Sequence, residues 1–149
     1  MLNTSEPDKS LKLNRVPRWE IALAKWVEAS MGRPFQWGRF DCGLMAADAI
    51  EAITGIKVAD DLQYETEEGA KAIVGEDFSS LQELCDERVG VEIRPTSARK
   101  GDIAMVEFND GEAYSLVVDY GRSYIVATDK GVRIVRKEAV KAVKAWRVG

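Results

Sequence analysis

WGRFDCGLMAADAIEAITG, residues 37–55, places a cysteine directly after an aspartate at the head of an apolar helical pattern. Cys42, Met45, Ala46, Ala49, Ile50 and Ile53 recur at i, i+3, i+4, i+7, i+8 and i+11, which on a helix forms one continuous buried stripe. Asp41 offers an oxygen to the unpaired N–H groups of the first turn. Gly55, after Thr54, supplies the left-handed stop. The alanines let a neighbouring element approach closely. A helix from about Asp41 to Gly55 is therefore expected, with a thiol on its first turn.

That position has chemical consequences. A free thiol has a pKa of about 8.5, and the N–H groups and dipole of a helix N-terminus favour the thiolate. The charge of Asp41 pulls the other way. Gly43 leaves room beside the sulfur, and backbone N–H groups there are placed to act as an oxyanion hole. Phe35 and Trp37, just upstream, are candidates to wall a cleft. Core packing accounts for Cys42 equally well, because cysteine is a small apolar residue and this one opens the buried stripe. Cys85 sits late in its own helical stretch and reads as packing alone.

Outward toward the N-terminus, Trp19, Leu23, Trp26 and Val27 repeat at helical spacing, with Pro17 suited to a first turn and Gly32 as a stop. Residues 1–15 are polar and aperiodic. They read as a flexible arm, or as a segment that docks on a partner, preceding a single domain over 16–149. Toward the C-terminus come two weaker helices, Glu65–Val74 and Ser79–Glu87. In the second, Ser79 with Gln82 or Ser80 with Glu83 has capping-box spacing. After Val89 the pattern changes to short β-rich runs: VGVEI, DIAMVEF, AYSLVVD, SYIVAT, VRIV and VKAWRV. Turn signals separate them, at Pro95, Asn109-Asp110-Gly111, Gly121-Arg122 and Asp129-Lys130-Gly131. Helices followed by strands predict an α+β fold, with N-terminal helices packed on a five- to six-stranded antiparallel sheet.

Composition bounds the function. The chain has 149 residues, 46% hydrophobic and 31% charged, which suits one globular domain. The net charge is −4 and there is no basic run, so nothing favours nucleic acid. No apolar stretch reaches the roughly 20 residues of a membrane span. The first residues lack the apolar core of a secretory signal. Retention in a cytoplasm, or export by assembly into a particle, is expected. With two cysteines and no histidine there is neither a disulfide framework nor a ligand set for a nitrogen/sulfur zinc site. No cofactor and no metal are expected.

Together with KGDIAMVEF (100–108), AYSLVVDYG (113–121), SYIVATDKGVRIV (123–135) and the closing AWRVG (145–149), the 37–55 stretch resembles the NlpC/P60-related, papain-like proteins. More narrowly, it resembles a small family encoded by phages and prophages among tail-assembly genes. The resemblance spans about residues 18–149. It implies a papain-like fold in which the cysteine heads a helix packed on an antiparallel sheet. It also implies descent from peptidases that cut bacterial cell-wall peptides. In such enzymes a histidine deprotonates the thiol and a third polar residue holds that histidine. Carried onto this chain, the D-C pair is Asp41-Cys42 and the strand-opening G-D is Gly101-Asp102. The histidine position falls on Ala113, and the third on Val126. The nucleophile alone matches, within a pocket expected to comprise Trp37, Asp41, Gly43, Ala113 and Val126. The implied partners are other phage tail proteins and, for an active enzyme, peptidoglycan. The implied location is a virion tail, or the host cytoplasm during assembly.

Loss of the base matters. General-base assistance is worth about 10²–10⁴ in rate, and the same group protonates the leaving amine. Glu112 and Tyr114 flank the gap, and Asp102, Asp119, Asp129 and Tyr124 are the other nearby titratable groups. A carboxylate near pKa 4 is a poor base for a thiol unless burial raises it. Two readings stand: a non-catalytic tail or assembly protein, and a cysteine peptidase or amidase with an unusual base. A third use of the cleft is the binding of a small molecule or peptide.

Overall fold

The computed structural model describes residues 13–74 and 78–149. Four α-helices come first among them: α1 (Trp19–Ser30), α2 (Cys42–Thr54), α3 (Glu67–Val74) and α4 (Phe78–Arg88). Six strands follow: β1 (Glu92–Ile93), β2 (Ile103–Phe108), β3 (Ala113–Asp119), β4 (Ser123–Thr128), β5 (Gly131–Arg136) and β6 (Lys141–Trp146). They form one antiparallel sheet in the order β1-β6-β2-β3-β4-β5. The α+β expectation holds, at the upper of the two strand counts.

α2 is bounded as its sequence requires. Asp41 Oδ1 accepts from the Leu44 N–H at 2.9 Å, and Gly55, at φ 78°, closes the helix by donating to the Glu51 carbonyl. Met45, Ala46, Ala49, Ile50 and Ile53 are all buried, and burying each of the larger side chains contributes about 1.5–3 kcal/mol. α1 packs against α2 through Leu23 and Val27, while the half-buried Trp26 donates its indole N–H to Asp48 at 2.9 Å. Over the described residues α4 runs from Phe78, and Ser79 and Ser80 lie inside the helix. Neither occupies the N-cap position that a capping box needs.

Strand alternation divides the sheet into two faces. Ile103, Met105, Leu116, Val118, Ile125 and Trp146 join the helical core. Ala104, Val106, Val117, Tyr124, Val126 and Ala145 form a second cluster, against which Ala98 and Val140 pack. α2 lies on β3 and β4. β4 pairs with β3 at Val118↔Ile125 and Asp119↔Tyr124, which leaves the first half of β3 without a β4 partner among the described residues. The head of α2 meets the sheet beside that open stretch.

The expected flexible arm over 1–15 requires a correction at its end. Residues 1–12 lie outside the described residues, but Arg15 is pinned. Its guanidinium donates to the Val148 carbonyl (2.7 Å), the Lys100 carbonyl (2.8 Å) and Asp102 Oδ1 (2.9 Å). The Val16 N–H donates to the Ile53 carbonyl at 2.9 Å. The ordered domain thus starts before residue 16. No helix among the described residues is long and apolar enough to cross a membrane.

Candidate functional site

The loop before α2 sets the site. Gln36 and Phe40 exchange backbone hydrogen bonds of 3.0 and 2.8 Å around Gly38, which adopts φ +80°. This tight turn presents Trp37 at its tip, with Phe35 edge-on to it at 4.9 Å, and turns Asp41 inward. A side chain at residue 38 would collide with the Tyr64 carbonyl, so glycine lets the two loops close together. Asp41 is 2% exposed. Besides capping α2, it accepts from the Gly38 N–H (3.2 Å) and from the Tyr64 hydroxyl (2.5 Å). Burial, then the hydrogen bond to Asp41 and the charge of Asp41, push the Tyr64 pKa far above the ordinary tyrosine value. Tyr64 therefore stays protonated and acts as a donor.

Cys42 is the first residue of α2 and retains partial exposure. The Leu116 N–H, the Ser115 hydroxyl and the Gly43 N–H lie near its sulfur and favour the thiolate, although the Ser115 hydroxyl donates to the Leu116 carbonyl at 3.2 Å. Burial of the sulfur outweighs them, and the Asp41 charge adds to its effect, so the thiol pKa is raised. The Leu116 N–H is free for this contact because β4 does not pair there. The helix terminus alone predicts an activated thiol; its surroundings make a protonated one.

Cys42 opens onto a cleft of about 510 Å³ lined by α2, the 58–64 loop, α3, α4 and the start of β3. The wall is mostly apolar. A second, more polar hollow of about 640 Å³ lies beside Trp37 and Tyr64, with Gln36, Arg39, Gln63 and Glu65 around it.

The structure brings together most of the pocket expected from the sequence: Trp37, Asp41, Cys42, Gly43 and Ala113 line the same cavity. Ala113 stands in the row of Val117, which faces the second cluster, so the β3 row turned toward α2 is Tyr114, Leu116 and Val118, and Ala113 lines the cavity only from the strand's start. Val126 is a correction. It faces the second cluster with Tyr124, across the sheet from α2, because strand side chains alternate. The helix-facing neighbours are Ile125 and Ala127, both apolar, so neither register supplies a third polar group.

Among the substitute bases, Glu112 and Tyr114 reach the cavity wall. Asp102 is fully buried elsewhere, accepting from Arg15, from the Arg99 N–H (2.9 Å) and from the Val148 N–H (3.0 Å). Asp119 is buried against Lys137 at 2.6 Å and the Gly121 N–H at 2.9 Å. Tyr124 faces the second cluster, and Asp129 lies outside the cavity. Cys85, read as inert, is buried with its pKa pushed up to about 12, mainly by burial, yet it lines the same cavity as Cys42. Tyr64 and Ser115 were not singled out from the sequence. Nothing local marks Tyr64, which lies 23 residues from the carboxylate it bonds.

A family model described as Domain of unknown function (DUF6950) matches residues 14–148, and the chain belongs to that family. No curated protein matches the sequence. Among solved structures, the fold is similar to that of Rv1477, a hypothetical invasion protein of Mycobacterium tuberculosis. The two are 19% identical with a TM-score of 0.50, over 90% of this chain and 66% of that one. At this identity the likeness speaks for the fold alone, and this chain spans just under two thirds of the other.

Proposed function

We propose that this member of the DUF6950 family is a papain-like domain of NlpC/P60 type whose hydrolytic site has lost its base, and that it serves in a phage tail tip or in tail assembly. One observation carries the non-catalytic reading: Cys42 opens onto the cavity beside the start of β3, and a chain without histidine has no imidazole to place there. The raised thiol pKa supports it, since a protonated sulfur without an imidazole has neither the nucleophile nor the acid that amide cleavage demands. A thiol-headed helix laid on an antiparallel sheet supports the papain-like assignment. The tail setting rests on the sequence resemblance and on the phage character of the motifs quoted above.

A digestion assay on purified muropeptides tests the chemistry, with Cys42→Ala as control. The expected result is no cleavage that depends on Cys42; turnover at an enzymatic rate lost in the alanine variant would overturn the reading. Iodoacetamide alkylation against pH gives a second readout. The midpoint is expected above the roughly 8.5 of a free thiol. Ala113→His adds an imidazole at the cavity's edge, at the start of β3, and is expected to lower that midpoint. The biological setting is tested by looking for the chain in purified particles and in pull-downs of tail components. Its consistent absence from both would remove that half of the proposal.

A further inference from the structure

The polar hollow of about 640 Å³ adjoins the Cys42 cleft, since Trp37, Leu62 and Tyr64 line both, but its chemistry is different. It lies between two loops that are latched together. Gly38 leaves no room for a Cβ against the Tyr64 carbonyl, and Asp41 accepts from both the Gly38 N–H and the Tyr64 hydroxyl. The 36–40 turn also uses its backbone groups internally, through the pairing of Gln36 with Phe40. What this turn offers a ligand is therefore side chains on a fixed base.

Those side chains are unengaged. Gln36, Arg39, Gln63 and Glu65 line the hollow and are exposed, and their side chains make no hydrogen bond or ion pair among the described residues. Trp26 and Trp146 give their indole N–H groups to Asp48 and Asp86, whereas that of Trp37 has no acceptor among the described residues. Phe35 packs against the Trp37 ring at 81°. Side-chain amides both donate and accept, a guanidinium donates and a carboxylate accepts. The two charges are opposite in sign, so the rim favours neither an anion nor a cation. It suits a neutral molecule that is itself a mixture of donors and acceptors. The aromatic ring beside these groups suits an apolar face. A pyranose of gluco configuration has both, with equatorial hydroxyls around its edge and axial C–H groups on its faces.

We propose that this hollow binds a neutral, β-linked glucopyranose saccharide, with one ring stacked on Trp37 and its hydroxyls bonded to Gln36, Arg39, Gln63 and Glu65. No bond is made or broken and the thiol takes no part, so the proposal goes beyond the non-catalytic reading and stands apart from it. The test is NMR titration of the full ¹⁵N-labelled chain with cellobiose. Sorbitol serves as a polyol without a ring face, and trialanine as a neutral peptide. One saturable site is expected at millimolar cellobiose, with shifts centred on the Trp37 indole and the Gln36 and Gln63 amides. Neither sorbitol nor trialanine is expected to saturate.

Trp37→Ala is expected to weaken cellobiose by about tenfold, through loss of the stacking face. Gln63→Ala, at an exposed and unengaged position, is expected to weaken it by about threefold. It is read in place of Trp37→Ala if that variant fails to fold. The proposal is overturned by lack of saturable binding at tens of millimolar cellobiose, or by shifts that leave the 36–39 and 63–65 segments untouched. Binding that is unchanged in the variant read, or sorbitol or trialanine binding as tightly as cellobiose, also overturns it. Muropeptide cleavage by the thiol would sink the non-catalytic reading and leave these binding results as they stand.

Discussion

Asp41 shares its two carboxylate oxygens among three donors: the Leu44 N–H, the Gly38 N–H and the Tyr64 hydroxyl. It therefore fixes the start of α2, the Trp37 turn and the Tyr64 loop at once, while its charge opposes ionisation of Cys42. Asp41→Asn separates these roles, because the amide oxygen can still cap the helix while the charge is gone. The Cys42 alkylation midpoint is expected to fall in that variant, since a negative neighbour that raised the thiol pKa has been removed. Asp41→Ala removes the cap as well and strands the three donors, and is expected to cost about 3 kcal/mol in urea unfolding. The cap and the thiol were legible in the sequence because a helix N-terminus is written within four residues. Tyr64 was not, because its pairing to Asp41 depends on how two loops close. Val126 was misplaced because a strand register is uncertain by one residue, and one residue exchanges the faces.

At the scale of elements, α4 shows how a helix is held by something its own sequence does not announce. Ser79 and Ser80 suggest a cap at its start, yet its densest set of hydrogen bonds to the rest of the chain lies at its end. There Arg88 meets Asp61 through both Nη atoms and the Val58 carbonyl through one. The hydrogen bond from Arg88 is the main reason that the Asp61 pKa falls from 3.8 to about 2. A carboxylate whose folded pKa is depressed contributes stability that is full above its unfolded value. That stability is lost as pH falls through the folded one. The window here runs from about pH 4 down to about pH 2. Asp61 is 67% exposed, so screening keeps the contribution at or below about 1 kcal/mol. Urea midpoints of the wild type and Asp61→Asn should differ modestly at pH 7, and the gap should close at pH 2 and in high salt. An unchanged gap at low pH would exclude the ion pair as its source. β3 and β4 coincide with the runs AYSLVVD and SYIVAT, since turn residues bracket both. β1 shrinks to two residues of VGVEI, and β6 starts at Lys141, two residues before VKAWRV. Those limits are set by pairing between β1, β6 and β2, which composition does not encode.

Across the whole molecule, the Gly101-Asp102 pair that marks the resemblance turns out to be a junction. Gly101 adopts φ +94°, and the Arg15 guanidinium fills the space where a Cβ would project. Asp102, fully buried, then joins the N-terminal segment through Arg15, the strand-opening loop through the Arg99 N–H, and the C-terminal segment through the Val148 N–H. The polar, aperiodic stretch around Arg15 gave no sign of this, because its partner is 87 residues away and buried. The two ends of the interaction should respond unequally to mutation. Asp102→Ala leaves a guanidinium and two backbone N–H groups without their acceptor in a buried setting, and should cost about 3 kcal/mol or more. Arg15→Met takes the guanidinium from over Trp19 but leaves Asp102 with both backbone donors and with Arg147 at 3.8 Å, so its cost should be smaller, about 2 kcal/mol. Paired urea unfolding curves decide the matter. Equal losses would mean that the ion pair itself holds the segment. A larger loss in Asp102→Ala would mean that the carboxylate organises three parts of the chain and Arg15 is one of its clients. On that outcome the pair is kept for folding, and Asp102 drops out of the set of groups able to serve Cys42.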